Sequence, residues 1–377
     1  MCLKQKRFFS SPTRLNVALQ GGGAHGAFTW GVLDRLLEEE TLRFNAVSGT
    51  SAGAMNAAAL ISGLENGGPE AARQSLRSFW RSVSSRSRLI PFNRSTVQAV
   101  LGGLGLDVNA LPFFFGSGSQ VFSPYDLNPA GFNPLQEIIR DTIDITALSR
   151  SSVALHVTAT HVGTGEARVF SQDAVTEEVL LASACLPALF HAIEIDGEHY
   201  WDGGYSGNPS LMPLVGETDA SDLLLVQTSP TRRPDLPQKA QQIAAREKEI
   251  SFNAPLIKEL RLLAELQYQA RLLPGSGPPG FLEGLVGRLT RQKPHHARSI
   301  SALRCHRITS AAMNVRDSQT KLDSAWLFLT QLRDEGRDAA EMFLKNHGRD
   351  LGRRSTLDLS RWLHGASTPA RGLAKAS

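Results

Sequence analysis

The fold of this chain is most strongly constrained by two short apolar runs near the N-terminus. Each run leads into glycines and then into a helical pattern. The first run is LNVALQ at residues 15–20, and the second is FNAVS at residues 44–48. Apolar residues spaced as on one face of a helix follow the first run, and a stretch of small residues follows the second. This alternation predicts an α/β unit with parallel strands joined by a right-handed crossover.

The rest of the chain adds elements of both kinds to this unit. The patterns predict helices at 69–84, 176–184, 237–273 and 318–333, strands at 152–162, 166–171, 222–229 and within 296–309, and a hairpin that turns at Asp196 and Gly197. Residues 85–133 differ, because they are rich in glycine, proline and phenylalanine and have no lasting periodicity. They predict a long insertion that acts as a lid or binding loop, with LPFFFG (111–116) as an acyl-pocket wall, a membrane-dipping element or an ordinary core patch.

Composition favours a globular protein in a reducing compartment. Of the 377 residues, 41% are hydrophobic and 20% are charged, and no apolar run is long enough to predict a membrane span. The first residues are basic but lack the apolar stretch of a secretory signal. Cys2, Cys185 and Cys305 are odd in number and widely spaced, which disfavours a disulfide framework. We therefore expect a cytoplasmic protein that makes peripheral contact with a membrane.

The net charge of +4 conceals a basic C-terminal segment. Residues 291–377 carry 16 Lys and Arg against 8 Asp and Glu, whereas the preceding 290 residues carry 24 against 28. Such a segment suits an anionic membrane surface or nucleic acid, and it is also typical of a solvated tail. Because basic and aromatic residues are not interleaved here, we expect no nucleic-acid partner.

The glycine run QGGGAHGA at residues 20–27 predicts an anion-binding loop. Between a strand and a helix, glycines let a ligand approach backbone N–H groups and the positive end of the helix dipole. Gly21, Gly23 and Gly26 also satisfy the dinucleotide pattern G-x-G-x-x-G. That use requires an acidic residue at the end of the second strand, but this strand ends in VSGTS. An anion over the loop is therefore expected, and a dinucleotide is disfavoured.

The sequence GTSAG matches the nucleophile elbow G-x-S-x-G at a strand-to-helix turn. In that arrangement Ser51 is exposed at the carboxyl end of the sheet, and the flanking glycines remove Cβ atoms that would clash with neighbouring backbone. The alternative is a glycine-lined turn in which Ser51 caps the next helix. The elbow consists of Gly49, Thr50, Ser51, Ala52 and Gly53.

The histidines give no clear partner for this serine. An α/β-hydrolase has the order Ser, Asp, His, with the elbow after several strands, whereas here it follows the second strand. None of the histidines downstream of residue 202 has the context of a strand end that a triad requires: His295, His296, His306, His347 and His364. The earlier ones are expected to be structural: His25, His156, His161, His191 and His199.

The segment YWDGGYSGNP at residues 200–209 offers a carboxylate as the base. Asp202 follows two aromatic residues at the end of a hairpin arm and precedes Gly203 and Gly204. Partial burial raises the pKa of such a carboxyl group above its usual value of about 3.9, which suits it to accept a proton near neutral pH. The alternative is a turn aspartate that binds its own backbone.

The motifs GGGAHG, GTSAG and DGG, in this order, resemble those of the patatin-like phospholipase family, and the resemblance covers about residues 15–214. It implies a three-layer α/β/α fold with a mostly parallel central sheet and a helical C-terminal extension. It also implies a Ser–Asp dyad without histidine, a glycine-rich oxyanion loop, and hydrolysis of lipid acyl esters without a metal or cofactor. By position, Ser51 is the nucleophile and Asp202 the proton acceptor. The implied oxyanion hole comprises Gly21, Gly22, Gly23, Ala24 and Gly26.

Two positions depart from the family pattern. Gly204 stands where many members have alanine, and a Gly/Ala exchange there is expected to be harmless. Gln20 stands where plant members tend to have aspartate, so a plant-type substrate preference does not follow.

The resemblance, together with the patterns and composition of the remaining residues, divides the chain into four parts: an N-terminal tail (1–14), a catalytic domain (15–214), sheet-completing strands with a helical extension packed on the same domain (215–334), and a basic flexible tail (335–377). The expected activity is that of a phospholipase A or lysophospholipase acting through an acyl-enzyme, with a lipid as substrate and transient contact with a membrane surface. An acyltransferase using the same serine, a Rossmann-like nucleotide-binding protein and a silent lipid-binding scaffold stay open as alternatives. The oligomeric state also stays open.

Overall fold

The computed structural model describes residues 12–86, 123–215, 220–233, 235–272, 300–316 and 318–363. The LPFFFG segment and most of the predicted insertion lie outside these ranges, as do His295, His296 and His364. Within the described ranges, no helix combines the length and the apolar character needed to cross a bilayer.

Eight strands form one sheet in the order β5-β6-β3-β2-β1-β7-β8, with β4 also paired to β3. The pairs β1–β2, β2–β3, β1–β7 and β7–β8 are parallel, and β4, β5 and β6 add antiparallel pairs. The strands are β1 Thr13–Leu19, β2 Leu42–Thr50, β3 Ala154–His161, β4 Ala167–Ser171, β5 Ile193–Ile195, β6 Glu198–Asp202, β7 Asp222–Val226 and β8 Arg304–Ile308. The mostly parallel sheet expected from the sequence is confirmed.

Helices connect and cover these strands. They are α1 Gly26–Leu36, α2 Ala52–Arg86, α3 Pro124–Leu127, α4 Pro134–Thr142, α5 Ile145–Arg150, α6 Glu177–Ser183, α7 Ala240–Leu272, α8 Ala311–Val315, α9 Trp326–His347 and α10 Ser360–Leu363. Short 3₁₀ turns lie at Gly23–His25, Gln172–Ala174, Gly203–Tyr205, Met212–Leu214 and Ser318–Leu322. Helix α2 includes both helices expected before residue 86, joined at Gly67 and Gly68, whose backbone is not helical.

The sheet is buried on both faces, as the uninterrupted apolar sequence of β7 predicts. Leu224 and Val226 belong to one core, which includes residues of α1, α2 and α9, whereas Leu223 and Leu225 belong to a second core against α7. Successive side chains of a strand point to opposite faces, so the two cores lie on opposite sides of the sheet. The three-layer α/β/α architecture is thereby confirmed.

The C-terminal region is more ordered than the sequence suggests. A flexible tail is predicted from residue 335, but α9 continues to His347 and packs along α1. Here Gly336 lies so close to α1 that a Cβ at this position would be 2.1 Å from the carbonyl oxygen of Phe28. The apolar residues of α9 are diluted by charged ones, yet Leu332, Ala340 and Phe343 are all buried. Because apolar residues are sparse in this part of α9, its composition resembled that of a solvated tail.

Candidate active site

Ser51 lies at the sharp turn between β2 and α2. Its φ of 55° is in the left-handed region, which costs a non-glycine residue about 1–3 kcal/mol. The turn is held by two hydrogen bonds: the Ser51 N–H donates to Ser183 Oγ over 2.9 Å, and the Met55 N–H donates to the Ser51 carbonyl over 3.1 Å. Ser183 Oγ in turn donates to the carbonyl of Thr158 on β3. The backbone geometry is that of the elbow predicted by the sequence.

The glycines of the elbow are required by close packing. A Cβ on Gly53 would lie 2.1 Å from the carbonyl oxygen of Leu19, and a Cβ on Gly49 would lie 2.6 Å from the carbonyl oxygen of Gly53. The other elbow residues are also fixed, since Thr50 Oγ1 donates to the Gly207 carbonyl over 2.6 Å and Ala52 is buried. The elbow is therefore pressed against the end of β1, next to the glycine loop.

Asp202 is the last residue of β6, and the structure brings it to Ser51. Its N–H donates to the Cys185 carbonyl over 2.7 Å, and its side chain is buried, with the residue 1% exposed. The carboxylate accepts a hydrogen bond from the Gly204 N–H over 2.7 Å, and the Ser51 side chain lies close enough to lower its pKa. Gly203 lets this turn approach β3, because a Cβ there would lie 2.1 Å from the Thr158 carbonyl oxygen.

The environment of Asp202 makes its carboxyl group a proton acceptor suited to neutral pH. Burial raises its pKa to about 6, although the hydrogen bond from Gly204, the Ser51 side chain and the positive charge of Lys321 act in the opposite direction. Such a group is mostly ionised at pH 7 and yet basic enough to take a proton in a reaction. Asp202 therefore combines an adjacent hydroxyl with a suitable pKa.

Gly204 has less room than the sequence suggests. Alanine is expected to be harmless there, but a Cβ would lie 2.4 Å from the ring of Phe252 on α7 and 2.9 Å from Asp202 Oδ1. An alanine would therefore have to displace the ring. This contact comes from α7, far along the chain, so the DGG motif gave no indication of it.

The glycine loop lies directly over the elbow. A Cβ on Gly21 would be 3.0 Å from the Cβ of Ser51, so the loop backbone passes beside the serine. The Gly21 N–H is already used, because it donates to Asn208 Oδ1 over 2.8 Å, and the Gly26 N–H donates into the preceding 3₁₀ turn. Within the described residues, the N–H groups of Gly22 and Gly23 have no protein acceptor. These two N–H groups are thus available to an anion.

Gln20 and Asn208 hold the loop, and the sequence did not single out either role. Gln20 Oε1 accepts hydrogen bonds from the N–H groups of Thr228 and Ser229, which follow β7, and its Nε2 donates to Asn253 Oδ1. Asn208 Nδ2 donates to the Phe252 carbonyl on α7. The carboxyl ends of β1 and β7 are thereby tied to each other and to α7 at one edge of the sheet, where parallel α/β folds bind ligands.

The buried His25 and the partly buried Lys321 place two basic side chains behind the loop. Burial, followed by the charges of Lys321, Arg316 and Arg233, lowers the pKa of His25 to about 3. The imidazole is therefore neutral at physiological pH. Lys321 is partly buried, and the loss of hydration lowers its pKa, while its Nζ donates to Ser229 Oγ over 3.0 Å. The sequence placed His25 in a structural role, but no motif indicated Lys321.

The other described histidines are engaged away from Ser51. Their contacts are His156 with Ser171, His161 with Glu198, His191 with Tyr125 and Pro124, His199 with Glu194, His306 with Asp222 and Thr356, and His347 with Asp350. Among the described residues whose pKa is shifted, Asp202 is the one on which the Ser51 side chain acts.

Fold and site together define an α/β/α protein in which a serine and a buried aspartate meet at the carboxyl edge of the sheet, beneath a glycine loop. The chain belongs to the patatin-like phospholipase family, whose model matches residues 17–215, just over half of the chain. Membership of this family supports a lipid-hydrolysing enzyme.

Two solved structures resemble the chain distantly. One is VipD from Legionella pneumophila, with 14% identity, a TM-score of 0.31, and coverage of 87% of this chain and 67% of that one. The other is full-length ExoU in complex with full-length SpcU, from the type III secretion system of Pseudomonas aeruginosa. It has 16% identity, a TM-score of 0.26, and coverage of 94% of this chain and 77% of that one. No curated protein sequence matches the chain.

Proposed function

We propose that the chain is a lipid acyl hydrolase of the phospholipase A or lysophospholipase type, which cleaves fatty-acyl esters with Ser51 as nucleophile and Asp202 as base. The observation that carries this proposal is a carboxylate, 1% exposed, that interacts with the Ser51 side chain and whose pKa is raised by burial to about 6. The family supports the lipid substrate.

In the first step, Asp202 takes the proton of the Ser51 hydroxyl while Oγ attacks the ester carbonyl carbon. The carbonyl π electrons move onto the oxygen, which becomes an oxyanion, and the C–O bond to the alcohol breaks when the tetrahedral intermediate collapses. The leaving alkoxide takes the proton held by Asp202. The products of this step are an acyl-enzyme on Ser51 and a free alcohol or lysolipid.

In the second step, water takes the place of the alcohol. Asp202 accepts a proton from the water as its oxygen attacks the acyl carbonyl carbon, and the bond to Ser51 Oγ breaks. The proton returns from Asp202 to Ser51, and the fatty acid leaves. One carboxylate thus acts as base and then as acid in both halves of the reaction, so the scheme requires no histidine.

The oxyanion is stabilised by backbone N–H groups beside Ser51. Of the five positions implied by the sequence, Gly21 and Gly26 donate to protein acceptors, so we assign the role to Gly22, Gly23 and Ala24. Ala52 adds a donor because it begins α2, where the first N–H groups have no partner within the helix. Each such donor typically contributes about 2.7–4 kcal/mol to the transition state.

A Rossmann-like use of the loop has less support. The dinucleotide pattern relies on close approach of a pyrophosphate to the first glycines, but the Gly21 N–H is occupied by Asn208. Strand β2 ends at Thr50 without the carboxylate that would bind a ribose. A titration with NAD(P) that shows micromolar binding would favour that function over ours.

The test is product analysis by mass spectrometry after incubation with phospholipid vesicles. The wild type is expected to release fatty acid and lysophospholipid, whereas Ser51→Ala is expected to release neither. A repeat with an added alcohol distinguishes hydrolysis from transfer, since an acyltransferase would form the new ester in preference to free fatty acid. Equal release by the wild type and by Ser51→Ala would refute the proposal.

Transient contact with a membrane surface is part of this proposal, because the substrate resides in a bilayer. The excess of basic residues in 291–377 supports contact with anionic lipids. Co-sedimentation with anionic vesicles is expected at low salt and is expected to weaken as salt screens the charges. Equal recovery with neutral and anionic vesicles would refute the electrostatic part.

A further inference from the structure

The 3₁₀ turn Ser318–Leu322 lies against the back of the glycine loop, although it is outside the family match at residues 17–215. It precedes α9, the helix that packs along α1. The loop over the elbow is therefore bounded on one side by a part of the chain that follows it by almost 300 residues.

The first contact is a hydrogen bond of 2.7 Å between His25 Nε2 and Thr320 Oγ1. His25 is the last residue of the 3₁₀ turn formed by the loop, and it is 3% exposed. Because its pKa is lowered to about 3, the imidazole is neutral, with one ring nitrogen as donor and the other as acceptor. The hydrogen bond to Thr320 therefore persists across the pH range in which Asp202 is ionised.

The second contact is made by Lys321, which touches the middle of the loop directly and its beginning through Ser229. Its backbone carbonyl lies so close to Gly23 that a Cβ at Gly23 would be 2.4 Å from the oxygen, and Gly23 also has a φ of 58°. Its Nζ donates to Ser229 Oγ, and the Ser229 N–H donates to Gln20 Oε1 at the start of the loop. The loop is thus held at its beginning and at its middle.

Little free space separates the turn from the loop. A cavity of about 10 Å³ between them, lined in part by His25, Ser229 and Lys321, has room for about one water molecule. The loop backbone rests on this packed surface, so it cannot move away from Ser51 without breaking these contacts. The position of the Gly22 and Gly23 N–H groups therefore depends on the 318–322 turn.

We propose that the 318–322 turn is a clamp that positions the glycine loop, with Thr320 as a positioning residue that acts through His25. The proposal rests on the function given above, in which this loop is the oxyanion hole. Since the negative charge appears on the oxygen only as the transition state is reached, a displaced loop lowers kcat and leaves KM unchanged.

The experiment compares Thr320→Val with a matched control, Thr330→Val. The first variant keeps the shape of the side chain and removes the hydroxyl that meets His25. The second makes the same change in α9, where the Thr330 hydroxyl donates only to carbonyls of its own helix. Thr320→Ser, which retains a hydroxyl, is the rescue variant, and Thr320→Ala repeats the test without the added methyl.

Thr320→Val is expected to lower kcat by about 10- to 100-fold with KM unchanged. It is also expected to speed hydrogen–deuterium exchange in the peptide that covers residues 20–27. Thr320→Ser and Thr330→Val should match the wild type in both measurements. A Thr320→Val enzyme with wild-type kcat and wild-type exchange would overturn the clamp, as would equal losses in the Thr330→Val control.

The exchange measurement keeps this proposal separate from the proposed function. If the wild type hydrolyses no lipid, the function is refuted, and the clamp is then decided by exchange alone. Faster exchange only in Thr320→Val and Thr320→Ala supports the clamp, and unchanged exchange in both refutes it.

Discussion

Asp202 and Asp222 are both 1% exposed, and each is a terminal residue of a strand, yet their pKa values are shifted in opposite directions. Burial raises the pKa of Asp202 to about 6. Burial acts in the same direction on Asp222, but hydrogen bonds from His306 and Arg304 outweigh it, and its pKa is lowered to about 2. Two equally buried carboxyl groups can therefore have pKa values on opposite sides of the usual value.

The difference lies in the partners of each carboxylate. Asp222 accepts two hydrogen bonds from the Arg304 guanidinium, at 3.1 and 2.7 Å, together with one from His306 and one from the Gly352 N–H. Asp202 accepts one backbone N–H, and the Ser51 side chain and the charge of Lys321 lower its pKa further. The charge of Asp222 is therefore neutralised where it lies, whereas no cation of the described residues contacts Asp202.

The two sites also lie at opposite edges of the sheet. Asp222 begins β7, beside Leu15 of β1, whereas Asp202 lies where β2 and β3 end, beside the elbow. Asp222 ties β7 to β8 and to the C-terminal segment, so it stabilises the fold. In the proposed function, Asp202 is the base, and its destabilising charge is retained for chemistry.

The largest expected difference is in turnover. Asp202→Asn should lower ester hydrolysis by at least about 10³-fold, because asparagine cannot accept the Ser51 proton. Asp222→Asn should retain wild-type kcat at a temperature where it is folded. Both rates are measured on the same phospholipid vesicles, with circular dichroism as the control for folding. Near-normal activity in Asp202→Asn would show that the dyad is assigned wrongly.

The next difference is in stability at neutral pH. Asp222→Asn leaves Arg304 without its counter-charge and should reduce the free energy of unfolding by about 3 kcal/mol. Asp202→Asn removes a buried charge and should raise it, by up to about 3 kcal/mol. Urea unfolding at pH 7.5 measures both. If the two variants change stability in the same direction, the contrast between the sites is not electrostatic.

The pH dependence of stability should also have opposite signs at the two sites. The folded pKa of Asp202 is above its unfolded value, so this group lowers the stability of the wild type as pH rises from about 4 to about 6. The folded pKa of Asp222 is below its unfolded value, so its contribution of about 2 kcal/mol is lost as pH falls from about 4 to about 2.

Each aspartate variant should remove its own part of this profile. Unfolding curves across pH 2–7 are expected to lose the decline between pH 4 and 6 in Asp202→Asn and the rise between pH 2 and 4 in Asp222→Asn. A wild-type profile retained in either variant would contradict the corresponding pKa.

The smallest expected effect concerns the space around Asp202. Gly204→Ala should reduce turnover several-fold, because the new methyl group must displace the Phe252 ring next to the carboxylate. Shortening the ring residue in the double variant Gly204→Ala/Phe252→Leu should restore part of the loss. A Gly204→Ala enzyme with unchanged kcat would show instead that the ring moves away without affecting Asp202.

The parts of the site that the sequence predicted are those encoded within a few consecutive residues. The elbow at Ser51, the aspartate before Gly203 and the loop over Gly22 and Gly23 each follow from local backbone requirements. The alternation of strands and helices likewise predicted the layers, and the hairpin turn at Asp196 and Gly197 was predicted correctly, since both residues have positive φ.

The parts that could not be predicted depend on contacts between distant segments. Asn208 removes the Gly21 N–H from the set of oxyanion donors, and Ser183 holds the elbow from another helix. Thr320 reaches His25 from almost 300 residues away. No local pattern specifies which polar side chain will meet which loop, and the sparse apolar spacing of α9 resembled a solvated tail.

The most direct test of the account is the rate at which a fluorophosphonate ester labels Ser51 in the wild type and in Asp202→Asn, followed by intact mass and peptide mapping across pH 4–8. We predict a single adduct on Ser51 in the wild type, with a rate that falls about tenfold per pH unit below about pH 6. In Asp202→Asn the rate should be at least about 100-fold lower at pH 7.5. Labelling at another residue, or an unchanged rate and pH profile in Asp202→Asn, would contradict the claim that this aspartate activates this serine.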